Sequence, residues 1–278
     1  MNQILEPLVS VEIVRYTPGG HQNLQDVVAT EVPVTVEVWG SQVATLMASP
    51  ENLDELARGF LVSSGLLQPQ ELRTVEVDLG LWRVRVVATR PVDAGALARR
   101  TYSSGCGKGV VFASSLEEDL PPLPVVWQLE AAEIFAVVPA FRRHSELHEA
   151  TGGVHSAALV RDGQLVVVRD DVGRHNAVDK VIGWALAREY PLDTCWLVTT
   201  GRIAVEIVHK CRRVGLPIIV SLGAATHQAV LVGRRFHLTV VAFARQGRFS
   251  VWATPQRIGS GILPGETRAG SGSGGPGE

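Results

Sequence analysis

The sequence predicts an α/β protein carrying a smaller α+β unit, and three observations lead there. Between Ser156 and Trp252, strand-like runs alternate with amphipathic helical runs. The first half holds a period-two strand, one helix and a hairpin. Between Ser114 and Pro124 the chain reads Ser-Ser-Leu-Glu-Glu-Asp-Leu-Pro-Pro-Leu-Pro, too proline-rich and acidic for a core element. The expected organisation is a small α+β unit over 1–113, a linker over 114–124, a larger unit over 125–260 and a disordered Gly/Ser-rich tail over 261–278.

In the small unit, Val34, Val36 and Val38 alternate with Thr35, Glu37 and Trp39, the period of a strand with one buried face. Ser49-Pro50 predicts a cap and a first-turn proline for a helix whose apolar stripe is Leu53, Leu56, Ala57, Phe60 and Leu61, stopped by Gly65. Val75, Val77 and Leu79, then Gly80, then Trp82, Val84 and Val86 predict a hairpin.

In the larger unit, Ser156–Val160 and Leu165–Val168 flank Arg161-Asp162-Gly163-Gln164, a second hairpin. A helix with Val178, Val181, Ile182, Ala185 and Leu186 on one face follows. Next come a strand at Cys195–Thr199, a helix bearing Ala204, Ile207, Val208 and Cys211, a strand at Ile218–Ser221 and a short helix after Thr226. Strands at Leu238–Phe243 and Phe249–Trp252 close the unit. This β-α-β-α-β order implies parallel strands with helices on the faces of the sheet.

An apolar fraction of 46%, with 19% charged residues, excludes disorder as the main state. Met1-Asn2-Gln3 lacks the basic start of a secretory signal, and runs such as Leu216–Ala225 are shorter than the ~18 residues of a membrane helix, so a soluble cytoplasmic protein with no membrane partner is expected. The net charge of −2 hides an asymmetry: residues 201–257 carry nine basic side chains (Arg202, Lys210, Arg212, Arg213, Arg234, Arg235, Arg245, Arg248, Arg257) against Glu206. That favours an anionic ligand. Sparse aromatics and charges spread over several elements favour a phosphorylated small molecule over nucleic acid.

Three segments run strand, polar glycine-containing loop, helix: 170–176, 199–202 and 221–226. In a parallel sheet such loops gather at the carboxyl edge, where helix starts offer free N–H groups to anions. Within Asp171-Val-Gly-Arg-His-Asn-Ala-Val-Asp179-Lys180, Arg174 and His175 would serve as donors to a phosphate or heterocycle. The plain alternative is a capped helix with Asn176 near the cap and Asp179 and Lys180 on its wet side. His155, after Thr151-Gly152-Gly153-Val154, reads as a structural histidine.

The three cysteines are too few and too scattered for a disulfide framework or a C-x-x-C zinc site. Cys106 lies in Tyr102-Ser103-Ser104-Gly105-Cys106-Gly107-Lys108-Gly109, without apolar neighbours, where Lys108, Arg99 and Arg100 would favour the thiolate. Cys195 and Cys211 read as inert core residues. His144-Ser145-Glu146 mimics the H-x-E of zinc deaminases, but no P-C-x-x-C follows, so no metal site is expected; a Walker loop and a strand-bounded G-x-G-x-x-G are also missing.

Taken together, several segments resemble the formate dehydrogenase accessory sulfurtransferases, the FdhD/NarQ family. They are Leu53-Asp-Glu-Leu-Ala-Arg-Gly-Phe-Leu61, the Ser103–Gly109 loop, Thr151-Gly-Gly-Val-His155, Asp171-Val-Gly-Arg-His-Asn-Ala-Val-Asp-Lys180, Gly201-Arg202 leading to Glu206-Ile207-Val208, and Phe243-Ala244-Arg245. They run in order over about Glu31 to Ile258.

The resemblance implies a sulfur carrier required for formate dehydrogenase activity. Such a protein takes sulfur from a cysteine desulfurase as a persulfide and passes it to the molybdenum (or tungsten) bis(molybdopterin guanine dinucleotide) cofactor before insertion into the formate dehydrogenase catalytic subunit. It further implies a homodimer and a larger domain of cytidine-deaminase-like α/β/α fold lacking the zinc site. By position, Cys106 would be the catalytic persulfide carrier, and Phe243, Ala244, Arg245, Gln246, Gly247 and Arg248 would bind the cofactor, with Arg174, His175, Gly201 and Arg202 completing the pocket. Many members carry C-x-x-C where this loop has one cysteine, the lost partner falling at Ser103 or Gly109, and Ala224-Ala225-Thr226 replaces a common Ala-Pro-Thr. A lone thiol cannot resolve its persulfide as a disulfide within the loop. The reading carried forward is that Cys106 alone carries and donates sulfur; the alternative is a cofactor-binding chaperone without transfer. A hydrolase or deaminase is disfavoured by the missing zinc ligands and the lack of a recognisable Cys–His–Asn arrangement.

Overall fold

A computed structural model of the chain describes residues 6–93, 100–102, 110–112 and 120–259. The chain opens with a two-stranded ribbon, β1 (Leu8–Thr17) and β2 (Gly20–Ala29), which the sequence reading passed over. Its alternation is masked by polar residues on both faces, and Arg15 pairs with Asp26 across it at 2.7 Å.

A four-stranded sheet follows, in the order β4-β3-β6-β5, from β3 (Val32–Val38), β4 (Ser41–Ala48), β5 (Leu72–Asp78) and β6 (Arg83–Ala88). The valine alternation of β3 buries Val34, Val36 and Val38 against α1 (Leu53–Ser63), whose Leu56, Ala57, Phe60 and Leu61 form the facing stripe. Two expectations change here. Strand β4 intervenes before the helix, and the cap is Asn52 in the left-handed region (φ 53°), not Ser49-Pro50.

The antiparallel pair β7 (Arg100–Tyr102) and β8 (Val110–Phe112) brackets residues 103–109. Cys106 and its loop lie outside the described residues, as do residues 114–119 of the predicted linker and the predicted tail over 261–278. The later end of the predicted linker is packed: Leu123 is buried, and its N–H donates to the Phe236 carbonyl at 2.8 Å.

The larger unit is a six-stranded mixed sheet, β11-β10-β12-β13-β14-β15. A short strand β9 (Leu129–Glu130), α2 (Ala131–Arg143) and α3 (Glu146–Thr151) precede it. Its strands are β10 (His155–Arg161), β11 (Gln164–Asp171), β12 (Trp196–Thr199), β13 (Ile218–Ser221), β14 (Thr239–Arg245) and β15 (Arg248–Ala253). Only β12, β13 and β14 run parallel to one another; β10, β11 and β15 pair antiparallel. The short strand β16 (Ile258–Gly259) pairs with β9.

Both faces of the sheet's centre are covered, so β10, β12, β13 and β14 are apolar on both sides. Ala157, Leu159, Leu197, Ile219 and Val240 face α4 (Arg174–Ala187), α5 (Val205–Arg213) and α6 (His227–Arg235). Ala158, Val160, Trp196, Val198, Val220 and Val241 face Ile134, Val137, Val138 and Phe141 of α2. Thr226 caps α6 by accepting the Ala229 N–H. No helix of the described residues is long and apolar enough to cross a membrane.

The two sheets meet where α1 crosses α4. A Cβ on Gly59 would fall 1.8 Å from the Asp179 carbonyl oxygen, and one on Gly183 would fall 1.8 Å from that of Glu55. Backbone touches backbone at this crossing, which no residue with a side chain permits.

Candidate functional site

The carboxyl edge of β12, β13 and β14 gathers the predicted loops. Leu222 N–H donates to the Thr199 carbonyl, Ile203 N–H to Ala224, Thr226 N–H to Ile203, and Phe243 N–H to Gly223, at 2.9–3.0 Å. Ser221 Oγ donates to the Gly201 carbonyl at 2.6 Å. The start of α4 joins them: a Cβ on Gly201 would come within 2.8 Å of the Arg174 Cβ. Arg174, Gly201, Arg202 and Phe243 therefore belong to one cluster of loops, as the order of the strands requires.

His155 and His175 sit in this cluster. Burial first, then the charges of Arg174 and His148, hold the His155 imidazole below its ordinary range. His175 is pushed down to about 3, by burial first and then by Lys210, Arg174 and His155. Its Nε2 is buried without a hydrogen-bond partner among the described residues. Both rings are neutral at pH 7 and can present an N–H or a lone pair without counter-charge.

The rest of the 171–180 motif does other work. Asp179 and Lys180 are buried, correcting the expectation of a wet helix face, and the residue at the cap is Gly173, not Asn176. Lys180 Nζ lies 2.7 Å from Asp171 Oδ2, both side chains fully buried, and also donates to the Ser49 and Asp170 carbonyls at 3.3 and 3.2 Å. Asp171 accepts the Ser49 and Gly173 N–H groups and the Asn176 amide, which also donates to the Met47 carbonyl. Lys210 Nζ contacts both Asp179 oxygens at 2.8 Å, and Ser63 Oγ donates to the same carboxylate at 2.6 Å. Glu55 accepts two bonds from Arg169, at 2.6 and 2.9 Å. These groups staple the small sheet and α1 to the large sheet.

The basic excess of residues 201–257 is likewise partly structural. Lys210 pairs with Asp179, Arg212 donates to the Pro121 carbonyl, and the wholly buried Arg257 donates to the carbonyls of His237 and Pro124. Arg245 and Arg248 are exposed.

Segment 243–248 is the bulged end of β14 and the turn into β15. Phe243, Gln246 and Gly247 all have positive φ (55°, 55° and 72°), and the pairing register slips between Ala242 and Arg245. Phenylalanine in the left-handed region is costly and persists where surrounding structure enforces it, most often at binding sites. The Arg245 guanidinium lies 5.7 Å from the Phe243 ring. Ala244, Arg245, Gln246, Gly247 and Arg248 line a cleft of about 180 Å³ whose opposite wall is α2. Its floor is apolar: Ile134, Val138 and the ring pair Phe135 and Phe249, with centroids 5.0 Å apart. An apolar slot rimmed by Arg142, Arg245 and Arg248 suits a flat heterocycle with an anionic tail.

Sequence reading missed α2, although Ile134, Val137, Val138 and Phe141 carry its period openly. Of the thiols, Cys195 and Cys211 are buried, and burial pushes the first up to about 11 and the second still further. Neither suits nucleophilic work.

The sequence profile of the FdhD/NarQ family matches residues 29–259. The chain is 33% identical over 256 residues to the sulfur carrier protein FdhD of Shouchella clausii, covering 90% of this chain and 96% of that one. It is 32% identical over 251 residues to that of Bacillus subtilis, covering 89% and 96%. The crystal structure of a formate dehydrogenase accessory protein from Desulfotalea psychrophila superposes with a TM-score of 0.77 at 30% identity, covering 91% of this chain and all of that one. The match runs unbroken through both sheets and the crossing that joins them, so the chain belongs to the FdhD/NarQ family.

Proposed function

We propose that this protein is a sulfur carrier serving formate dehydrogenase, with Cys106 as its persulfide-bearing residue and a molybdenum bis-guanine-dinucleotide cofactor as the cargo that receives the sulfur. The observation that carries the reading is the arginine-rimmed apolar cleft at 243–248, beside a cluster of loops at the carboxyl edge of the sheet. Support for Cys106 comes from exclusion of the other two thiols, both buried and poorly ionised.

In the first step the Cys106 thiolate attacks the outer sulfur of a desulfurase persulfide. The old S–S bond breaks, its electron pair leaves on the desulfurase thiolate, and the outer sulfur is now bonded to Cys106. In the second step the Cys106 S–S bond breaks, its pair returns to Cys106, and the outer sulfur becomes a sulfide ligand using two electrons from the metal of the cargo. The protein contributes position and charge: the arginines hold the nucleotide end, and the neutral His155 and His175 supply polar contacts without repelling them. The proposed setting is a cytoplasmic homodimer.

Incubation with a cysteine desulfurase and cysteine should add the mass of one sulfur atom to Cys106, and the adduct should be absent from Cys106→Ala. No adduct on the unaltered protein would overturn the carrier role. The single cysteine of the loop favours a second reading, a cofactor-binding chaperone. On that reading Cys106→Ala still supports formate dehydrogenase activity while Arg245→Ala does not.

A further inference from the structure

A second cleft, of about 330 Å³, lies on the other side of the last turn of α2. It shares Pro139 and Arg142 with the cleft lined by Arg245 and Arg248, so the two open onto a common wall. Their chemistry differs. The first is floored by Phe135, Val138 and Phe249, whereas the second presents Arg142, Arg143, His148, Ser156 and Thr200, with Glu149 as its acidic member.

Several details mark the second cleft as built for a ligand. Ser156 is 1% exposed, yet its hydroxyl has no hydrogen-bond partner among the described residues while its backbone is fully engaged: its N–H donates to Thr200 Oγ1, and its carbonyl accepts from Thr200 N–H and Thr199 Oγ1. A buried hydroxyl left unsatisfied costs about 1–3 kcal/mol unless something bonds to it. The backbone beneath is held rigid, because Ser145 Oγ donates to Asp170, the residue directly across the strand pair from Ser156, and accepts the His148 N–H. His148 Nδ1 is taken by the Val154 carbonyl at 2.8 Å, which leaves Nε2 for the cleft. Pro139 has no N–H to give the preceding turn, and α2 carries Arg142 and Arg143 at the end where the clefts join.

We infer that the second cleft is the phosphate subsite of the ligand whose ring occupies the first, with Arg142 as the cation shared between them. The ligand lies across the end of α2, its heterocycle against Phe135 and Phe249 and its diphosphate toward Arg142, Arg143 and the Ser156 hydroxyl. Arg142 is thereby a binding residue in addition to Arg245 and Arg248. The inference rests on the guanine-dinucleotide reading above and adds where the phosphates of that cargo lie.

Calorimetric titration of the full chain with GDP and with guanosine separates the two ideas. GDP should bind more tightly than guanosine. Arg142→Gln should weaken GDP about tenfold or more while changing guanosine less than twofold, because a charged hydrogen bond to phosphate is lost. Ser156→Ala should weaken GDP several-fold with no loss of thermal stability, since its hydroxyl bonds nothing among the described residues. Arg142 is exposed, so its variant is expected to fold, and an unchanged melting temperature checks this. If GDP binds both variants as it binds the unaltered protein, the phosphate subsite is wrong and the first-cleft reading stands. If neither GDP nor guanosine binds the unaltered protein, both fall.

Discussion

Lys180 Nζ lies 2.7 Å from Asp171 Oδ2 in a site closed to water, and Ser49, from the other sheet unit, bonds to both residues. The last residue of β11 and a residue of α4 thus serve as an internal joint. Replacing Lys180 by Met leaves a buried carboxylate without its cation, a loss of about 3–5 kcal/mol. Urea unfolding should show that drop, with soluble yield falling alongside.

The crossing of α1 and α4 yields a second expectation. An exposed helical glycine gains about 1 kcal/mol on replacement by alanine. At Gly183 the new Cβ would lie 1.8 Å from the Glu55 carbonyl oxygen, so the helices must separate and the overpacking cost of about 1–3 kcal/mol wins. Gly183→Ala should therefore lower the melting temperature and increase proteolysis between the two sheet units, whereas Gly163→Ala, in an exposed turn, should leave that proteolysis unchanged.

The pH dependence follows from histidines held neutral. His209 packs edge-on to Phe236 with centroids 5.4 Å apart, and burial first, then Arg213 and Arg235, hold its pKa at about 4. The unfolded value is about 6.5, so between these values the unfolded chain binds more protons. This contribution to stability is complete above about pH 6.5, declines as the pH falls and levels off below 4. Denaturation at pH 7 and pH 4.5 should show His209→Gln losing roughly 2 kcal/mol less than the unaltered protein over that interval.

Thiol chemistry separates the cysteines. With Cys195 pushed up to about 11 and Cys211 further, both by burial, iodoacetamide at pH 8 should label neither in the folded protein. Cys106 should be alkylated first, and all three should react after denaturation. Peptide mass spectrometry with time reads the order; early labelling of Cys195 would contradict it.

Much of the large sheet was legible because its strands and helices have clean periods. Val178, Val181, Ile182 and Ala185 announce α4, and Asp162-Gly163 announces the β10–β11 turn, where both residues adopt positive φ. The ribbon β1–β2 was not legible, since its apolar residues are scattered over two exposed faces. The end of β4 hid in a different way: Ser49-Pro50 has the chemistry of a helix start, yet Ser49 is used to bind Asp171 and Val172 across the molecule.

Sequence alone determined the family, the alternation of the large unit and the loops that meet at its carboxyl edge. It could not decide what each charge does. Asp179, Lys180, Lys210 and Arg257 look solvent-facing or ligand-facing in one dimension, but they are buried and bonded to partners as distant as Ser63, Ser49 and Pro124. Tertiary structure also brought α2 against the 243–248 turn and made Arg142 common to two clefts. The reason is physical: periodicity reports which face of an element is apolar, whereas the partner of a charge is fixed by packing between elements remote in the chain, and only that packing decides whether a charge meets water, protein or ligand.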